Sequence, residues 1–352
     1  MIDVAFAIPG DLGAATGGYA YARRVFQLLP QYHVTPHHLE LPGSFPDPSH
    51  NDLMVTLRLL EQIHPHTPIF IDGLAFGALP PGFLDDIEPP VIGLVHHPLA
   101  LESGIALARK RQLIVSERCA LARAEAVVAT SHLTARVLRH DYDVPATSLV
   151  VAEPGTEPAG QSLGTGAPFT MLAVGALIPR KGYNVLIKAL GQLDHDNWML
   201  TIVGSPDHDP VEANRIRKQI LASGLRRRIT LAGRVPADQL EQLYKHADLF
   251  VMPSYYEGYG MVLGEAMARG VAIVCTTGGA AVETAPDEAA LKVEPGNAPA
   301  LAAAINRMMS DKTLLEAKRK ASWEAGQRLP RWSESVDKIA GVIKATSRRS
   351  AL

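Results

Sequence analysis

Cysteine is scarce in this chain, neither sign of charge is in excess, and no long apolar run occurs. Cys119 and Cys275 are its two cysteines. Two thiols cannot build a disulfide framework or a four-thiolate zinc site, and such sparing use suits a reducing compartment. Lys and Arg number 34 against 36 Asp and Glu, a formal charge of −2. The large basic excess that grips a nucleic-acid backbone is therefore missing. The longest uncharged stretch, Pro158 to Pro179, is interrupted by Pro and Gly, whereas a membrane-spanning helix needs about 20 mostly apolar residues. Met1-Ile2-Asp3-Val4 has neither the basic nor the long apolar region of a secretory signal and reads as a first buried strand. The expectation is a cytoplasmic protein with no nucleic-acid partner. The sequence carries no signal of oligomeric state.

What is present points to order. Hydrophobic residues make up 47% and charged residues 20% of 352 residues. At about 150 residues per domain, that length suggests two domains. Val4–Ile8, Pro68–Ile71, Val91–Val95 and Ala126–Ala129 are continuous apolar runs, as expected for strands covered on both faces of a parallel sheet. Gly17–Leu29 has helical spacing. The second half alternates more regularly. Strands are predicted at Thr170–Val174, Trp198–Val203, Ile229–Ala232, Leu249–Met252 and Val271–Cys275, the last closing the series. Helices are predicted between them at Tyr183–Leu193, Val211–Ser223, Asp238–His246 and Met261–Arg269, and Ala300–Lys344 is mostly helical. This alternation predicts α/β architecture with two doubly wound, Rossmann-like parallel-sheet domains facing a cleft. Glu153 to Pro168 is crowded with Gly, Pro, Ser and Thr and reads as an interdomain linker.

The most informative segment runs Pro253-Ser254-Tyr255-Tyr256-Glu257-Gly258-Tyr259-Gly260-Met261-Val262-Leu263-Gly264-Glu265-Ala266-Met267-Ala268-Arg269-Gly270. It follows a buried strand and opens a helix. Gly258 and Gly260 leave backbone N–H groups uncovered at that helix start, a ready anion site. Glu265 lies beyond the first helical turn, where dipole compensation does not explain it. Lys181 and Arg180 stand side by side at another strand-to-helix turn and suit an anionic leaving group. Gly13 to Tyr19 forms a glycine loop after the first strand, but its spacing is not the G-x-G-x-x-G of dinucleotide binding. His96 and His97 end another strand.

The segment resembles the E-x7-E signature, Glu257 to Glu265, of the retaining family-4 glycosyltransferases with the GT-B fold. Val174-Gly175-Ala176-Leu177-Ile178-Pro179-Arg180-Lys181-Gly182 resembles that family's V-G-x-L…K-G loop, and Gly278 to Glu283 its G-G-x-x-x-E segment. Val151 to Glu157 resembles a degraded interdomain turn. The likeness covers most of the second half and the first half loosely. It departs at Ala176, where many members carry Arg; Arg180 would then supply the charge.

The resemblance implies a division into residues 1–157 for the acceptor, 168–329 for a nucleotide-sugar donor, and 330–352 as a helix packing back on the first domain. It implies that Glu265 accepts from ribose hydroxyls, that Glu257 lies near the donor sugar, and that Gly258, Tyr259, Gly260, Met261 and Val262 present amides to sugar and diphosphate. Lys181 and Arg180 would neutralise the diphosphate, and the turn at Gly233, Arg234 and Val235 would bracket the base. Gly17 and Gly18 would face the donor phosphate, and His96, with His97 as the alternative, the donor sugar. The activity implied is hexosyl transfer with retention, from a nucleoside-diphosphate sugar to a hydroxyl of a glycolipid, polysaccharide or small molecule, with no metal or other cofactor. A nucleotide-sugar epimerase of the same shape and a catalytically silent nucleotide-sugar binding protein are the alternatives.

Three D-x-D triplets, starting at Asp141, Asp194 and Asp207, are read as turn aspartates rather than metal ligands. Among three basic clusters, Arg109-Lys110-Arg111 sits in a helix-like stretch that could touch anionic lipid at the inner face of a membrane or an anionic acceptor, or be a solvated face.

Overall fold

The computed structural model describes residues 1–14 and 16–349. By packing, the chain forms two units: Met1–Gly155 together with the chain from Pro330 onward, and Thr156–Leu329.

The first unit holds β1 (Ile2–Pro9), β2 (Val34–Leu41), β3 (Ile69–Asp72), β4 (Val91–Val95), β5 (Ala126–Ala129) and β6 (Leu149–Val151). All pair in parallel, in the order β2-β1-β3-β4-β5-β6. Helices cover both faces, so the central strands are buried along their whole length: every residue of β3 and β4 is buried. The terminal helix Trp332–Arg349 joins this unit. Its buried Val336, Ile339, Ala340 and Ile343 complete the core, and the Tyr21 ring lies 5.6 Å from that of Trp332.

The second unit holds β7 (Phe169–Val174), β8 (Trp198–Val203), β9 (Ile229–Gly233), β10 (Leu249–Met252), β11 (Ala272–Thr276) and β12 (Ala290–Val293). They are parallel in the order β12-β11-β10-β7-β8-β9. Counted within the unit, this is the doubly wound order 3-2-1-4-5-6. The chain reverses direction across the sheet between β7 and β10, and ligands of such sheets bind beyond the carboxyl ends at that point. In the first unit the corresponding reversal lies between β1 and β3.

Three sequence expectations need correction. The strand ending at Cys275 does not close the second sheet, because the short edge strand β12 follows. The first sheet gains β2 and β6, which the apolar runs do not reveal. Residues 153–168 are not a free linker: the chain passes between units at Gly155 and Thr156, and the remainder is tied down. Ser162 N–H donates to Arg269 O at 2.7 Å and Leu163 N–H to Lys245 O at 2.9 Å. Asp248, 3% exposed, accepts from the amides of Thr165 at 3.0 Å, Gly166 at 3.1 Å and Thr170 at 2.8 Å. It also accepts from the Thr165 and Thr170 hydroxyls, each at 2.9 Å. One buried carboxylate thus satisfies a backbone that has no ladder of its own.

Among the described residues, no helix is long and apolar enough to cross a membrane.

Candidate functional site

The two strands that flank the reversal in the second sheet carry the charged residues singled out above. After β7 the chain turns through Gly175–Ile178 into the short 3-10 turn Pro179–Lys181. Gly182 then starts the helix Tyr183–Leu190 with φ of 65°. A Cβ there would sit 2.1 Å from Pro253 O, so a glycine lets this turn lie directly on the segment leaving β10. Tyr255 N–H donates to Arg180 O at 2.7 Å across the same contact. On the far side Glu257 forms an isolated parallel bridge with Gly279. There φ is 66°, and a Cβ would meet Glu257 O at 2.3 Å. The segment 254–258 is therefore held between two turns, both of which need glycine.

This packing places Glu257, 5% exposed, against two cations. Lys181 Nζ lies 2.6 Å from Glu257 Oε1, and Arg180 Nη1 lies 3.3 Å from Oε2. Ser254, fully buried, donates its hydroxyl to Oε1 at 2.5 Å. Arg180 also donates to Tyr256 O at 2.8 Å. Burial alone raises a carboxyl, but here Lys181 and Arg180, with hydrogen bonds from Lys181 and Ser254, outweigh it and hold Glu257 at about 2. It is a firmly ionised carboxylate with an excess of positive charge around it.

Glu265 behaves oppositely. It lies within the helix Met261–Met267, half-buried. Burial pushes its carboxyl above the usual range, and only the Tyr244 hydroxyl, at 2.9 Å from Oε2, and the Arg269 charge counter it. Arg269 makes no ion pair with that carboxyl: it pairs with Glu241 at 2.5 Å, donates to the Glu265 backbone carbonyl at 2.8 Å and lies over the Tyr244 ring at 4.7 Å. Two carboxyls eight residues apart in sequence thus have affinities for a proton pushed in opposite directions.

The rest of the predicted set is distributed as follows. Gly258, Met261 and Val262 are partly exposed, whereas Tyr259 and Gly260 are buried. Arg234 is exposed just past β9, with Val235 beside it packed on the core. Gly204 N–H donates to Gly233 O at 2.9 Å, which ties the ends of β8 and β9 together. Of the D-x-D aspartates, Asp207 and Asp209 are occupied locally, Asp207 accepting from Ser205 Oγ at 2.8 Å and Asp209 capping a helix through Glu212 N–H at 2.8 Å, whereas Asp194 accepts from Asn306 at 2.9 Å and Asp196 pairs with Arg228 at 2.7 Å. Among the described residues no three His, Cys, Asp or Glu side chains gather as metal ligands.

In the first unit Gly17 opens the helix Gly17–Leu28 behind β1, and Ala15 of that loop lies outside the described residues. A Cβ on Gly18 would be 3.3 Å from His96 Nε2, so Gly18 and His96 are neighbours. Asp72, which ends β3, had no motif to single it out. Its Oδ2 lies 3.3 Å from His96 Nε2, and its Oδ1 caps the next turn through Leu74 N–H at 2.9 Å. The one signal it gave was an acidic residue closing an apolar run before glycine. His97 turns instead toward Glu102, 3.5 Å away. Arg109, from the basic cluster, pairs with Asp47 at 2.9 Å.

The family model for Glycosyl transferases group 1 matches residues 160–327. A D-inositol 3-phosphate glycosyltransferase of Corynebacterium efficiens is 32% identical over 183 residues, 47% of this chain and 43% of that protein. The chain spans less than half the length of curated relatives such as this one. A sucrose-phosphate synthase structure from Thermosynechococcus elongatus superposes with a TM-score of 0.80 at 21% identity, over 98% of this chain and all of that one. Anabaena HepE, solved with UDP and glucose, gives 0.74 at 18% identity over 97% of this chain and 100% of that one. The two parallel sheets with flanking helices are the GT-B fold that these structures share.

Proposed function

From a second unit that belongs to the group 1 glycosyl transferases, we propose that the chain is a retaining glycosyltransferase using a nucleoside-diphosphate sugar. The observation that carries this reading is the meeting of Lys181, Arg180 and Glu257 beyond β7 and β10, with Glu265 on the helix that follows. A diphosphate leaving group gains negative charge as the bond from the sugar carbon to phosphate oxygen breaks. At ~4 Å, one fixed cation interacts with a unit negative charge by about 4 kcal/mol at an effective dielectric near 20. Two cations fixed beyond the carboxyl ends of central strands supply this without reorganising.

Glu265 takes the ribose hydroxyls, and the backbone of Gly258–Val262 lines the sugar and diphosphate. The turn at Gly233, Arg234 and Val235 brackets the base, and Arg180 serves for the arginine that many members place at the position of Ala176. The acceptor oxygen bonds to the sugar carbon on the face the diphosphate leaves, and its proton passes to a leaving phosphate oxygen. No metal takes part in this scheme. That HepE was solved with UDP and glucose favours a nucleotide-sugar donor.

The test is a screen of nucleotide sugars with simple acceptors, the product's anomeric configuration being read by NMR. A transferred sugar with the donor's configuration, unaffected by EDTA, is expected. Inversion, or loss of turnover on chelation, would contradict the mechanism. Removing Lys181 as Lys181→Ala should lower kcat/KM by ~10²–10³, the usual cost of losing one preorganised group.

A further inference from the structure

The cations beyond β7 are held by an acid of the chain itself. Lys181 directs its ammonium to Glu257 Oε1 at 2.6 Å, and Arg180 approaches Oε2 at 3.3 Å. The carboxylate is fixed from behind by Ser254, and its backbone is fixed by the bridge to Gly279. It cannot swing into water, because it is 5% exposed and packed between two turns. A diphosphate that recruits Lys181 and Arg180 therefore meets a fixed negative charge already paired with both. Pairs of this kind are strong only while few anions share the cations, and like charges brought together in a dry site repel.

We propose that Glu257 competes with the diphosphate for Lys181 and Arg180, and so limits how tightly the nucleoside diphosphate is held once the sugar has left. This rests on the donor site described under Proposed function. The carboxylate keeps both cations aligned and weakens their grip on product. Removing its charge while keeping its shape should thus favour the product complex.

The experiment is calorimetric titration of the whole protein and of Glu257→Gln with UDP, GDP, ADP and dTDP, and with the matching nucleosides. The variant should bind the preferred nucleoside diphosphate about tenfold tighter, equivalent to ~1.4 kcal/mol. The nucleoside, lacking phosphates, should bind both proteins alike. Should Glu257→Gln fail to fold, Glu257→Asp keeps the charge but draws it back from both cations, and a smaller tightening is expected. If the wild type binds one diphosphate and neither variant binds it more tightly, the inference fails while the donor site stands. Equal tightening for diphosphate and nucleoside also overturns it, since that reports a reshaped pocket. If the wild type binds none of the four diphosphates, the donor site falls and this inference with it.

Discussion

Glu257 and Glu117 are both carboxyls taken out of water, and they answer pH in opposite directions because only one has cations beside it. Glu257 sits at about 2 against a usual 4.5. Its stabilising contribution is complete above pH 4.5 and is lost as pH falls toward 2, about 3 kcal/mol in all. Acid unfolding of Glu257→Gln should be shallower than that of the wild type across this window. Glu117, 1% exposed, is pushed up to about 8 by burial, which outweighs the amide hydrogen bond from Leu99. The folded state keeps this group neutral while the unfolded chain ionises it. Stability therefore declines from pH 4.5 to about pH 8, by up to ~5 kcal/mol. Glu117→Gln should abolish that decline, as urea titrations at pH 5 and pH 8 would reveal; an unchanged slope would show that Glu117 reaches water. Sequence pattern located Glu257 because its strand, glycines and second glutamate are contiguous. Glu117, Asp72 and Asp248 have long-range partners, and nothing in their neighbourhoods announces them.

At the scale of elements, legibility follows position in the sheet. Every interior strand was visible as an apolar run, since covering both faces demands apolar residues at successive positions. Three of the four edge strands, β2, β6 and β12, were not. β2 reads VTPHHLEL, and β6 and β12 have just 3 and 4 residues. An edge strand pairs on one side and tolerates proline and polar residues, so its pattern fades. The strap 156–168 was misread for a related reason. Its Gly, Pro and Ser content describes a backbone without a ladder, and the acid that satisfies it stands about 80 residues away at Asp248. Asp248→Ala takes the one buried acceptor from three amides and two hydroxyls of a partly exposed strap, so it should cost ~1–3 kcal/mol in chemical unfolding. Gly182→Ala should be similarly costly, because the added methyl meets Pro253 O at 2.1 Å in a backbone of φ 65°. It should also weaken diphosphate binding, since Lys181 and the segment 253–257 lose their common support. Intact binding in a destabilised Gly182→Ala protein would show that the two turns hold their charges independently.

Across the whole molecule, the order of folding units is not the order of the chain. The first unit is closed by the last helix, Trp332–Arg349, which contributes Val336, Ile339, Ala340 and Ile343, all fully buried. Burying a large apolar side chain is worth about 1.5–3 kcal/mol, so this face supplies on the order of 8 kcal/mol, comparable to a domain's entire stability. The chain from Thr156 to Leu329 has its own core, from Phe169 and Trp198 through Leu301 and Met308. A chain ending at Leu329 should therefore lose amide protection throughout β1–β6 while β7–β12 stay protected, a difference that hydrogen-exchange mass spectrometry resolves strand by strand. The same truncated chain carries Lys181, Arg180, Glu257 and Glu265. A nucleoside diphosphate should still slow exchange in residues 175–182 and 253–265, because the residues assigned to it lie in the unit that survives. Loss of protection in both sheets would mean that the second core depends on the terminal helix, and the assignment of that helix to the first unit alone would not hold.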